Sequence, residues 1–169
     1  MPEKNSHCSY CGHPFTPGQA WPRQCQRCGQ VTYRNPIPVA VVLLPVDAGL
    51  LVIRRGAGNE RGIGQLGLPG GYIDFDDENW QAGAARELFE ETGVIIDPAE
   101  VREVRVFSGG HATVLIFGLA QPRTLADLPP FQPSSEATER LIITRPEPMA
   151  FDTHSQVVRE YFEGRYRQS

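Results

Sequence analysis

The stretch LPGGYIDFDDENWQAGAARELFEETGV, residues 68–94, sets two adjacent glycines ahead of a run of acids and closes on Arg-Glu-Leu-Phe-Glu-Glu. From Asn79 to Thr92 only Gly83 interrupts a run of helix-tolerant residues, and Gly93 stands where a left-handed C-terminal residue belongs. Asp76 or Asp77 is the expected cap. At about 100° per residue, Glu87, Glu90 and Glu91 share one face, while Ala82, Ala85, Leu88 and Phe89 gather on the other. A plain solvated face is the alternative, but it intersperses lysines at i, i+4, and this segment has no Lys and only Arg86 close by. Like charges so crowded are costly unless a cation neutralises them. An all-oxygen cluster with room for water suits Mg²⁺ or Mn²⁺ better than zinc. Gly83 projects near the acidic face and leaves room for a ligand to approach.

The chain has 169 residues, enough for one packed domain with a small appendage. Its 40% apolar and 21% charged content is ordinary for a globular protein, and no apolar run approaches the roughly 20 residues that cross a bilayer. The opening MPEKNSHCSYCGHPF lacks the apolar core of a secretory signal, so a cytoplasmic location and no membrane partner are expected. A net charge of −4 argues against nucleic acid as the main partner, because binding a phosphate backbone rests on many Lys and Arg. Small anionic ligands remain open where a metal carries the positive charge.

All four cysteines fall in the first 28 residues, Cys8 and Cys11 as one C-x-x-C and Cys25 and Cys28 as another. Two such knuckles close a tetrahedral Zn²⁺ site, and the metal supplies folding energy that so short a segment cannot draw from a core. Gly12 and Gly29 directly follow the second cysteine of each pair, where a tight turn is needed. Two disulfides suit a reducing cytosol poorly, and a redox pair needs a strand-turn-helix setting that is not evident. His7 and His13 flank the first knuckle as bystanders. The ribbon is read as structural, occupying residues 1–34, with the main domain over 35–169.

After Asn35-Pro36, Val39–Leu44 reads as a buried strand, Asp47-Ala48-Gly49 as a turn, and Leu50–Arg54 as its hairpin partner. Residues 56–64 form a glycine-rich loop. Val101–Phe107 and Thr113–Ala120 flank SGGHA as a second hairpin, residues 121–133 with four prolines form a long loop, and 155–166 suits an amphipathic helix. The mixture lacks a strict βα alternation, which predicts an α+β class: a mixed β-sheet flanked by helices, preceded by the ribbon.

The segment 68–94 resembles the Nudix box of the Nudix hydrolase superfamily: a Gly, five residues, Glu, seven residues, then Arg-Glu-aliphatic-x-Glu-Glu-x-Gly-aliphatic. Arg86 to Val94 fit the second half in full. Glu78 stands eight before Arg86 as the pattern asks, but six residues rather than five separate it from Gly71, so we align Glu78 as the box glutamate with the extra residue within 74–77. Asp77 is the rival choice. Leu66 stands where the family often shows Trp. A leading four-cysteine ribbon is similar to that of some branches, NADH pyrophosphatases included, yet FQPSSEATER at 131–140 departs from the SQPWPFP-type signature and weakens specific NADH cleavage.

The resemblance implies a Nudix fold and Mg²⁺-dependent (or Mn²⁺-dependent) hydrolysis of a nucleoside diphosphate linked to another moiety. On that basis Glu87, Glu90, Glu91 and the Gly71 carbonyl are the expected metal ligands, with Arg86 orienting the glutamates together with Glu78. Glu136 or Glu139 is a further ligand, the base, or a surface residue. Arg54 and Arg55 meet phosphates or close the hairpin, and Tyr72 and Phe131 offer aromatic surface to a base or merely anchor loops. The expected partner is a small nucleotide substrate, and homodimers are common in the family. Rival functions are a nucleoside triphosphate pyrophosphohydrolase, a non-catalytic nucleotide- or protein-binding module, and a thiol redox enzyme.

Overall fold

The computed structural model describes residues 4–109 and 112–166, and the chain divides into two compact units, Met1–Pro36 and Ile37–Ser169. The tip of the hairpin expected around SGGHA, Gly110 and His111, lies outside the described residues. No described helix is long and apolar enough to cross a membrane.

The first unit is built on two turns of one design. The Cys8 carbonyl accepts from Gly12 N–H at 3.0 Å and the Cys25 carbonyl from Gly29 N–H at 2.9 Å. Both glycines take positive φ, 69° and 74°, which a Cβ would strain. Strands β1 (Arg23–Gln24) and β2 (Val31–Thr32) pair antiparallel on either side of the second turn. Phe15 and Trp21 meet edge to face at 6.1 Å, and the Arg23 guanidinium lies over Trp21 at 4.3 Å.

In the second unit, β3 (Ile37–Leu43) lies between β7 (Gly70–Tyr72), antiparallel to it, and β9 (Thr113–Leu119), parallel to it. β8 (Arg102–Gly109) completes that sheet beside β9. A second sheet joins β10 (Ala137–Ile143), β5 (Gly49–Arg55) and β4 (Pro45–Val46), with β6 (Leu66–Gly67) also paired to β5. The expected hairpin of 39–44 with 50–54 is therefore corrected: after β3 the chain changes sheet at Leu44–Pro45, and the turn at Asp47 joins only the short β4 to β5. β10 was not anticipated at all.

The period-two alternation of β3 distributes the core. Ala40, Val42 and Leu44 pack with Leu51 against helix α1 (Trp80–Thr92) through Ala84 and Leu88. Val41 and Leu43 pack with Leu50, Val52 and Phe117 against helix α2 (Asp152–Phe162) through Val157 and Val158. Each fully buried aliphatic side chain contributes on the order of 2 kcal/mol. α2 begins three residues earlier than the expected 155–166 helix and ends at Phe162. Its buried Glu160 accepts from Arg105 and Gln156, each at 2.9 Å, and from the Tyr166 hydroxyl, so β8 and the C-terminal turn are locked to it.

Asn79 caps α1, its Oδ1 accepting from Ala82 N–H at 2.8 Å; neither Asp76 nor Asp77 does so. Gly93 closes the helix at φ 75° with its N–H on the Phe89 carbonyl. Arg140 donates to the Thr92 carbonyl at 2.8 Å, a cation at the negative end of the helix dipole. The apolar face runs through Ala84 and Leu88, while Phe89 is half exposed, a correction to the even division expected from helical spacing.

Candidate active site

The four cysteine sulfurs all lie within 4.8 Å of one another, with Cys8–Cys28 at 3.7 Å and Cys11–Cys25 at 3.6 Å. A Zn–S bond of about 2.3 Å sets a tetrahedron edge of about 3.8 Å, so the spacing fits zinc and leaves every thiol free of disulfide. Backbone N–H groups of Cys28 and Arg27 hold the Cys25 thiol below its ordinary value. Burial works against ionisation of Cys8, but the N–H groups of Tyr10 and Cys11 and the neighbouring thiols outweigh it and bring that thiol down to about 6. Thiols lowered in this way favour the thiolate form in which cysteine ligates a metal, while Cys28, against the pull of the Gln30 N–H, is pushed up to about 12 by burial and by the neighbouring thiols.

The acidic site lies where α1 faces the glycine turn between β6 and β7. Glu91, on the helix, is buried, and its Oε2 accepts the Gly70 N–H at 2.8 Å. Burial and repulsion from Glu87 and Glu136 push its carboxyl up to about 8, against the pull of Gly70 N–H and Arg55. Glu87 is also raised, first by burial and then by Glu90 and Glu136, with Arg86 opposing. A Cβ on Gly71 would come within 2.4 Å of Glu87 Oε2 and displace that carboxylate from its present place. Glu90 is half exposed, 3.6 Å from Arg86. Among the described residues the cysteines are the metal-ligand group that converges within 4.8 Å; the glutamates are spread from the buried Glu91 to the exposed Glu90. Glu87, Glu90 and Glu91 offer only oxygen donors, a set that would suit a hydrated divalent cation such as Mg²⁺ or Mn²⁺ better than zinc.

Arg86 is the hub that orders the acids. It donates to Asp77 Oδ1 at 3.2 Å and Oδ2 at 2.9 Å, to Glu87 at 2.8 Å and to the Tyr72 carbonyl at 2.9 Å. Its hydrogen bonds, first among them those to Asp77, hold it firmly protonated and hold Asp77 below the usual carboxylate range. Asp77, not Glu78, is therefore the acid that Arg86 grips. Glu78 is exposed beside the cap Asn79, and five residues separate Gly71 from Asp77. Gly83 is corrected too, since a Cβ there would meet Asp77 Oδ2 at 2.8 Å: its bareness admits Asp77 rather than a ligand.

Of the remaining candidates, Glu136 faces Glu87, Glu91 and Arg55 closely enough to perturb all three. Its carbonyl accepts Gly56 N–H at 2.8 Å and Asn59 Nδ2 at 2.7 Å, which tie it to the glycine-rich loop. Glu139 instead pairs with Arg54 at 2.7 Å across β10 and β5, so these two close the strands on each other. Arg55 turns toward Glu91 and Glu136, its guanidinium 5.1 Å from the Phe151 ring and its Nε on the Arg61 carbonyl. Tyr72 is exposed beside Arg86, whereas Phe131 lies under the Arg140 guanidinium at 5.6 Å, at the far end of α1. Two residues of this region, His154 and Phe151, carried no sequence signal.

A family model described as NUDIX domain matches residues 34–140. The chain is 36% identical over 83 residues to a MutT-like protein of Streptomyces ambofaciens, a match taking in 49% of this chain and 50% of that protein, so the chain spans half the length of this curated relative. Among solved structures it resembles a NUDIX hydrolase from Nitrosomonas europaea, at 26% identity and a TM-score of 0.76 over 95% of this chain and 92% of that one. It also resembles a bifunctional NMN adenylyltransferase/ADP ribose pyrophosphatase from Francisella tularensis, solved with AMP and a Mn ion. That likeness, at 22% identity and a TM-score of 0.63 over 78% of this chain and 42% of the other, is one of fold alone. With more than half of its residues inside the family match and the Arg86-to-Gly93 glutamates arrayed on one helix against a glycine turn, the chain belongs to the NUDIX domain family.

Proposed function

We propose that this chain hydrolyses the diphosphate bond of a nucleoside diphosphate linked to another moiety, of the ADP-ribose, NADH or FAD type, in a reaction dependent on Mg²⁺ or Mn²⁺. The products are a nucleoside monophosphate and a second phosphorylated fragment. The observation that carries this reading is the buried Glu91, fixed by Gly70 N–H beside Glu87. A bound divalent cation neutralises diphosphate charge and lowers the pKa of a water. The chain's own part is to hold the carboxylates. Arg86, gripped by Asp77 and the Tyr72 carbonyl, orients Glu87 and lies beside Glu90. Glu136 is the candidate to take the proton of the attacking water, and Arg55 is the candidate to meet a phosphate. Tyr72 offers the exposed ring to the organic part of the substrate; Phe131, covered by Arg140, serves its loop. The ribbon holds one zinc and is structural.

The fold likeness to an ADP ribose pyrophosphatase supports ADP-ribose as the first probe. The test measures kcat/KM with Mg²⁺ for ADP-ribose, NADH and FAD against nucleoside triphosphates, with products identified. Faster cleavage of the linked diphosphates supports the assignment, and a clear preference for triphosphates overturns it in favour of a triphosphate pyrophosphohydrolase.

A further inference from the structure

The glycine turn that meets Glu91 is itself held from behind by α2. Within Leu68-Pro69-Gly70-Gly71, Pro69 has no N–H, and its carbonyl accepts from Val42 at 2.8 Å. The Gly70 N–H goes to Glu91. The Leu68 N–H, on a residue 1% exposed, goes to His154 Nδ1 at 3.3 Å. His154 is buried and wedged between two rings, Phe117 at 5.3 Å and Phe151 at 5.1 Å, both edge to face. The segment leading into α2 bridges β6 and the helix: Ala150 N–H reaches the Leu66 carbonyl at 2.7 Å, and Met149 N–H reaches Ser155 Oγ of α2 at 3.1 Å. Phe151, the other wall of the histidine slot, carries the Arg55 guanidinium that faces Glu91 and Glu136.

We infer that His154 is a positioning residue for the cation site: by accepting the Leu68 N–H it sets the glycine turn at the height where Gly70 fixes Glu91 and Gly71 meets Glu87. This deepens the hydrolase reading and rests on it. His154 touches neither Glu91 nor Glu87, so its effect passes through the backbone of the turn. A buried amide left without its acceptor either stays unsatisfied or moves toward another partner, and here any movement carries Gly70 and Gly71 with it. Because burial and the nearby Arg55 disfavour a charged imidazole, one ring nitrogen stays available as an acceptor at neutral pH.

The test compares His154→Phe, which keeps an aromatic ring in the slot and removes the acceptor, with His154→Asn, whose side-chain oxygen can take the place of Nδ1. In the zinc-loaded full chain, three quantities are read: amide exchange at Leu68 and Gly70 by NMR, Mn²⁺ affinity by electron paramagnetic resonance, and kcat and KM for ADP-ribose. The Phe variant is expected to speed exchange at both amides, weaken Mn²⁺ at least about tenfold and lower kcat with KM within about threefold. Asn is expected to restore Mn²⁺ affinity to within about threefold of wild type. Wild-type Mn²⁺ affinity in the Phe variant overturns the inference, as does an Asn variant no better than Phe, which leaves His154 a packing residue. If wild type cleaves none of the nucleotides, the hydrolase reading fails while exchange and Mn²⁺ affinity still decide the role of His154.

Discussion

The Gly70 N–H donates to Glu91 Oε2 at 2.8 Å, joining the glycine turn to the last part of α1, whose Ala84 and Leu88 are anchored in the core. A carboxylate in so buried a place has few water molecules to stabilise its charge, and burial duly raises its pKa to about 8. Without a cation, that burial favours the protonated carboxyl. A divalent ion reverses that balance.

Replacing Glu91 by Gln therefore leaves the fold intact, since the amide has the same volume and its oxygen still accepts from Gly70. Turnover falls by at least about a hundredfold, because a charged oxygen is removed from the cation site. Circular dichroism and kcat on one preparation check both halves. Near-wild-type turnover at saturating Mg²⁺ would make the acidic face mere surface.

The contrast between Asp77 and Glu78 is equally sharp. Asp77→Asn weakens the fork that Arg86 makes with two carboxylate oxygens and lets the guanidinium drift from Glu87 and Glu90. We expect kcat to drop at least about tenfold, as misplaced catalytic groups do. Glu78→Gln, on an exposed side chain, leaves kcat unchanged. The reverse pattern would favour Glu78 as the box acid.

What was legible in the sequence was what short-range spacing encodes. The glutamates at 87, 90 and 91 and the two C-x-x-C pairs are local patterns, and helical or turn geometry converts them directly into shared faces. Counting residues aligns Glu78 because it measures spacing along the chain, whereas Arg86 contacts the acid whose side chain reaches it, Asp77. β10 was missed because Thr138-Glu139-Arg140 interrupts its apolar pattern; its place is set by pairing with β5, some 85 positions away. The sheet change after Leu44 hid behind a turn signal that was correct for β4 and β5. His154 is a lone histidine in FDTHSQ, and only the tertiary contact with Leu68 gives it meaning.

The ribbon yields a prediction of stoichiometry and dependence. Native mass spectrometry of the purified chain is expected to find one zinc, lost in Cys25→Ser, and residues 4–36 of that variant become rapidly cleaved by protease because the small buried cluster there consists of Phe15 and the cysteines themselves, with Trp21 against it. Two disulfides and no zinc would sink the assignment. A catalytic cation added in excess does not rescue the variant, since a set of thiolates does not select Mg²⁺.

One side chain contributes an identifiable share of the acid sensitivity. An exposed histidine titrates near 6.5, but burial, with a smaller repulsion from Arg55, holds His154 down to about 3. The folded value is depressed, so its contribution to stability is fully present above the unfolded value and is lost as pH falls toward the folded one. Below about pH 6.5 the unfolded chain takes up a proton that the folded chain refuses, which costs about 1.4 kcal/mol per pH unit. Carboxylates and the zinc site add their own slopes, and a comparison removes them: His154→Asn cannot titrate there, while every other group is shared. Urea unfolding at pH 7, 6 and 5 is expected to show wild-type stability falling more steeply than that of the variant, the gap narrowing by about half a proton's worth from pH 7 to 6 and by nearly a full one from pH 6 to 5. Parallel curves would mean that His154 is free to charge within the folded chain, and that its ring is less enclosed than Phe117 and Phe151 make it.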